Sequence, residues 1–120
     1  MTPNQLKWLA ALESGEYEQG TEGFLCMNGK YCCLGVAAEI FKTEQTKVKR
    51  SPITEAMLYG EEENVAPQYV IDALHLRSNT GIIMGKEYCL TELNDTGTTF
   101  KEIAAFIRKH PRRVFKETSE

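Results

Sequence analysis

Two adjacent cysteines, Cys32 and Cys33, stand where the strand-like run Lys30-Tyr31-Cys32-Cys33 passes straight into the helix-like run Leu34-Gly35-Val36-Ala37-Ala38. Unpaired backbone N–H groups and the helix dipole at such a junction favour a thiolate. Several families of cysteine hydrolases place their nucleophile there. That chemistry also needs a base. The chain has two histidines. His75 falls near the end of a helix at an apolar-face spacing. His110 falls in the last turn of the final helix, before Pro111, where a positive charge suits the dipole. Cys32 or Cys33 with His75 is the catalytic set that the sequence allows. The competing reading makes both cysteines small core residues, a common fate of free cysteine, and it is the stronger of the two.

A second constellation is Leu93-Asn94-Asp95-Thr96-Gly97-Thr98. It is a polar turn ahead of a helix. It can cap that helix, or it can present Asn94, Asp95 and Thr98 to an anionic or sugar-like ligand at the helix N-terminus. Ahead of the first hairpin, Tyr17 and Gln19 can stack on and hydrogen-bond a flat ligand, or can simply form a turn. Two basic stretches complete the set: Lys47, Lys49 and Arg50, then Arg108, Lys109, Arg112 and Arg113. They can meet a phosphate, although basic residues also complement a helix C-terminus.

No metal site and no cofactor are expected. The four cysteines, Cys26, Cys32, Cys33 and Cys89, include no CxxC pair, and adjacent residues on a regular element point to different sides. Phosphate-loop and His-Glu-x-x-His patterns are missing.

The elements that must position these residues can be read in outline. The chain has 120 residues, 42% hydrophobic and 26% charged, with a net charge of −3. Those values fit one globular domain over 1–120 and give no reason to expect nucleic acid as a partner. No apolar run reaches the roughly 20 residues that a membrane helix needs, and the start lacks the pattern of a signal peptide. A cytoplasmic location is the expectation.

Thr2-Pro3-Asn4-Gln5 opens a first helix, with Leu6, Leu9, Ala10 and Leu12 at helical spacing and Ser14-Gly15 as its end. Asn28-Gly29 between apolar runs predicts a hairpin over about 22–33. A central helix over about 34–42 is apolar nearly all round, so it should be buried. Residues 42–50 read as a loop or ragged strand. Ser51-Pro52 predicts a short helix to about Leu58, and Pro67 opens another with Val70, Ile71 and Leu74 inward. A second hairpin fits about 81–90, and a short helix over Cys89 to Asn94 is its alternative. Thr99-Phe100-Lys101-Glu102 is a capping box for a final helix with Phe100, Ile103, Ala104 and Ile107 on its apolar face. The fold class is α+β: a small antiparallel sheet on a buried central helix, with helices at both ends of the chain.

Three segments carry a resemblance. Residues 11–20 read ALESGEYEQG, residues 32–36 read CCLGV, and residues 93–104 read LNDTGTTFKEIA. In that order they resemble a group of small uncharacterised phage and prophage proteins with "ALxSGxYxQG", "CCLGV" and "LNDxGxxFxEIA" motifs. The resemblance spans about residues 9–107, with no matching motif over about 42–85. It implies an accessory protein in an infected or lysogenic bacterial host, and it carries no established activity. By analogy with other small phage proteins, the expected role is counter-defence: a homo-oligomer that sequesters a small anionic, nucleotide-derived signal without turning it over. The expected ligand-binding residues are Tyr17, Gln19, Asn94, Asp95, Thr98 and either Arg108 or Arg112. A cysteine-dependent hydrolase is one alternative. A blocker of a host defence protein, using the Glu61–Glu63 loop or the basic tail, is another.

Overall fold

Thr2 caps the first helix from both directions. Its hydroxyl accepts from the Gln5 amide at 3.2 Å, and its own amide donates to Gln5 Oε1 at 2.9 Å, the reciprocal bonding of a capping box. The coordinates are a computed structural model and describe residues 1–117; the polar end of the tail, 118–120, lies outside them. Helix α1 runs Pro3–Ser14 and stops at Gly15, which takes a left-handed conformation (φ 79°). Its buried face is Gln5, Trp8, Leu9 and Leu12, whereas Leu6 and Ala10 point outward. Two polar groups turn the helix this way. Gln5 Nε2 donates to the Leu74 carbonyl at 2.8 Å, and Trp8 Nε1 donates to the Cys33 carbonyl at 2.9 Å. Both bonds are buried, and breaking either would strand a polar group.

Strands β1 (Glu18–Gln19), β2 (Cys26–Met27) and β3 (Lys30–Tyr31) form one small sheet in the order β1-β3-β2. The Asn28-Gly29 hairpin is present, with φ of 52° and 78° at its two turn residues. It is shorter than the 22–33 expectation: the Leu25 carbonyl still accepts from the Cys32 amide at 3.2 Å, but the Leu25 amide turns away to the Glu63 carbonyl at 2.7 Å. Strand β1 joins β3 in parallel, a partner too short to carry a periodic signal.

Helix α2 (Cys33–Phe41) is the central element. Every residue from Cys33 to Ala38 is buried, as an all-round apolar helix must be. Its cap is Cys32, whose sulfur accepts from the Gly35 amide at 3.3 Å. Gly35 is required by contact: a Cβ there would stand 1.7 Å from the Leu25 carbonyl oxygen.

The segment after α2 departs from expectation. Strands β4 (Val48–Arg50) and β5 (Met57–Tyr59) pair antiparallel, where Ser51-Pro52 suggested a helix. The Ser51 hydroxyl does accept from the Ile53 and Thr54 amides, both at 3.3 Å. Glu55 then takes a left-handed φ of 67°, and Ser51 closes back on Ala56 through its amide at 2.8 Å. The cap residues therefore build a single turn between two strands.

Helix α3 (Gln68–Leu74) follows Pro67, with Val70 and Leu74 buried and Ile71 half-buried. Between 81 and 90 the chain closes on itself through a single bridge, Ile82 to Cys89. Helix α4 (Leu90–Asp95) begins directly after it. The Thr99–Glu102 capping box starts α5 (Phe100–Lys109), whose buried face is Phe100, Ile103, Ala104 and Ile107, and Pro111 opens α6 (Pro111–Val114). All six helices among the described residues contribute to one buried apolar cluster, and the class is α+β. No helix among the described residues is long and apolar enough to cross a membrane.

Candidate functional site

Asn94 sits at the end of α4 with no exposed surface. Its Oδ1 accepts from Gln19 Nε2 at 2.9 Å and from the Cys33 amide at 3.1 Å. Its Nδ2 donates to the Gly20 carbonyl at 2.8 Å and to Asp95 Oδ1 at 3.1 Å. Those four bonds use its whole hydrogen-bonding capacity. Gln19 is used almost as fully. Its Nε2 also donates to the Thr98 carbonyl at 2.8 Å, and its Oε1 accepts from the Phe100 amide at 3.1 Å. One side-chain pair thereby ties β1 to the start of α2, the end of α4 and the start of α5. Gln19, Asn94 and Asp95 do come together through their side chains, and Thr98 joins this network through its carbonyl alone.

The other expected ligand contacts stand apart from that network. Tyr17 is half-buried and meets Tyr31 edge-on, with ring centroids 5.3 Å apart. Arg108 is held by Glu13 through two bonds of 2.7 and 2.8 Å, and its guanidinium holds the Glu13 carboxyl below its ordinary pKa. Arg112 lines a separate cleft of about 510 Å³ beside Thr2 and Phe115.

At Cys32 and Cys33 two effects oppose each other. The amides at the start of α2 would lower a thiol pKa, whereas burial raises it. Burial wins at both. The Cys32 thiol is pushed up to about 11, and that of Cys33 goes well above its ordinary value. No histidine side chain hydrogen-bonds to either sulfur among the described residues. His75 instead ends α3 in a left-handed conformation (φ 59°), and its carbonyl accepts from Lys116. All four cysteines are free and buried.

A groove of about 850 Å³ lies on the segment with no recognisable motif, between the 43–49 stretch, the end of β5 and the start of α3. Its basic wall is Lys47 and Lys49. They are two apart along an extended chain, so they share a face, while Val48 between them turns toward the core. The floor holds Ala66, Pro67, Tyr59 and Tyr69. Helix α2 fixes both tyrosines. Tyr69 OH donates to the Ala38 carbonyl at 2.6 Å, and Tyr59 OH donates to Glu39 Oε2 at 2.8 Å. Burial raises both phenol pKa values, that of Tyr69 to about 12. Thr43 and Thr46 add hydroxyls at one end. In the sequence the Lys47, Lys49 and Arg50 charges stand without an aromatic neighbour. The only available signal was Tyr69 following Ala66-Pro67 at a helix start.

The family model for the domain of unknown function DUF8296 matches residues 4–111. This chain belongs to the DUF8296 family. The matched span takes in α1 through α5, the Asn94 network and the groove. No curated protein and no solved structure matches the chain.

Proposed function

We propose that this DUF8296 protein binds a small, nucleotide-like molecule in the Lys47–Lys49 groove and does not turn it over. The groove carries the reading. It is the size of a small-molecule site, with two lysines and the ordered, half-buried ring of Tyr69 in its lining. Lysine ammonium groups meet phosphate as point charges, and a tyrosine ring offers a flat apolar face to a base. Asn94 and Gln19 already bond within the chain through both ends of their amides, so they offer a ligand less. Burial of the Cys32 and Cys33 thiols in their protonated form supports binding without covalent chemistry.

The likeness of the 11–20, 32–36 and 93–104 segments to small phage and prophage proteins gives the reading its setting. The protein would act in an infected bacterial cell and withdraw a host signal from use.

Thermal-shift measurements with nucleoside phosphates, cyclic nucleotides, cyclic dinucleotides and ADP-ribose derivatives test this. At least one compound should raise the melting temperature in a concentration-dependent way and be recovered intact. The K47E/K49E variant should lose that response. If no compound shifts the wild-type chain, the proposal falls.

A further inference from the structure

The groove also carries two acidic residues beside its lysines. Glu61 and Glu62, just beyond β5, line the same space as Lys47 and Lys49. The Gly60 amide donates to the Lys47 carbonyl at 2.7 Å, so the acidic segment runs directly alongside Lys47. The lining therefore has two cations and two anions, with no net charge. None of the four is in an ion pair among the described residues, where the pairs are Lys42–Glu39 and Arg108–Glu13. Neither glutamate side chain is engaged in a hydrogen bond there.

This arrangement selects among nucleotides. A polyphosphate would gain from two lysines but would bring its further charges toward two carboxylates, and like charges at short range repel. A single phosphate matches the lysines and leaves the glutamates free. Carboxylates only accept hydrogen bonds, so what they need from a ligand is donors. On a nucleotide, the donors near the phosphate are the ribose hydroxyls. We infer that the groove takes a ribonucleoside monophosphate, with its phosphate on Lys47 and Lys49, its vicinal 2′- and 3′-hydroxyls donating to Glu61 and Glu62, and its base against Tyr69. The inference rests on the groove being the binding site and adds the class of ligand.

Calorimetric titration of the full chain tests it with the four ribonucleoside 5′-monophosphates, their 2′,3′-dideoxy counterparts and the matching 5′-triphosphates. At least one ribonucleoside monophosphate should bind roughly tenfold or more tighter than its dideoxy form, the scale of hydrogen bonds to a charged acceptor. Its triphosphate should bind no tighter. E61Q/E62Q should bring the ribo and dideoxy forms close together, whereas K47Q/K49Q should weaken both alike. All four side chains line the groove and make no hydrogen bonds among the described residues, so these variants should fold. Equal binding of the dideoxy form, a tighter triphosphate, or discrimination that survives E61Q/E62Q would overturn the inference and leave the groove as a nucleotide site. Binding of only cyclic dinucleotides or ADP-ribose derivatives would do the same. Failure of every nucleotide would remove both.

Discussion

Gln19 and Asn94 are joined side chain to side chain at 2.9 Å across 75 positions of sequence, and this bond is the hub on which four elements meet. Asn94→Ala should leave the buried Cys33 amide and the part-buried Gly20 carbonyl without their Asn94 partner. Each stranded group costs about 1–3 kcal/mol, so a loss of ~3 kcal/mol is expected in urea denaturation, with an unchanged m-value. Gln19→Ala should cost less, because Gln19 is only half-buried. A loss below ~1 kcal/mol for Asn94→Ala would show that the network is not what holds these elements together.

Gly35→Ala should be among the most damaging single changes in the chain. The added Cβ would meet the Leu25 carbonyl oxygen at 1.7 Å, a backbone atom of a fully buried residue. Neither α2 nor Leu25 can move without disturbing the core, so destabilisation of ~3 kcal/mol or more is expected. Gly29→Ala is the comparison. Gly29 has φ 78° and open space around it, so its cost should be ~1 kcal/mol, from backbone strain alone. Melting curves of the two variants give the ordering.

How much of this was legible follows from the range of each interaction. Capping boxes at Thr2 and Thr99 are made by residues three apart, and both read directly from sequence. So did the Asn28-Gly29 turn and the buried faces of α2 and α5, which follow from local periodicity. Ser51-Pro52 misled because a cap residue reports one turn of chain and says nothing of the turns after it; Glu55 reverses the backbone four residues later. The outward turn of Leu6 is decided by Gln5 bonding to Leu74, 69 positions away. The groove was illegible for a similar reason. Lys47 precedes, and Lys49 lies on, a strand whose partner follows an unrecognised turn, and the groove tyrosines are fixed by bonds to α2. The Asn94 turn stood out correctly as a dense polar cluster. Composition alone did not say that its groups would satisfy one another.

Arg108→Ala should have little effect on stability. The Arg108–Glu13 pair is bidentate, but its side chains are 40% and 37% exposed, and solvent screens such surface pairs so that they contribute little. The change should shrink further at high salt, where surface charges are screened. Binding in the groove should be unchanged, because Arg108 lies on α5, outside its lining. A large loss of affinity in Arg108→Ala would return the ligand to the α5 end of the molecule.

Alkaline pH should unfold the protein earlier than its size suggests, and the thiols give the sign. Burial raises the Cys32 pKa from 9.0 to about 11. An unfolded Cys32 therefore ionises first, so the folded state holds more protons between these values and loses stability as pH rises through them. Cys32 alone accounts for ~3 kcal/mol over that window. Tyr31 and Tyr69, each raised from 10.0 to about 12, act in the same direction at slightly higher pH. Denaturation midpoints measured from pH 7 to 11 should stay flat to about pH 8.5 and then fall steadily. Cys32→Ser should lessen the fall above pH 9, because its hydroxyl does not titrate there. At neutral pH an aromatic disulfide reagent should leave Cys32 and Cys33 unmodified until denaturant is added. Rapid labelling of either thiol in the folded protein would contradict the protonated, buried state and restore the nucleophile reading of the junction.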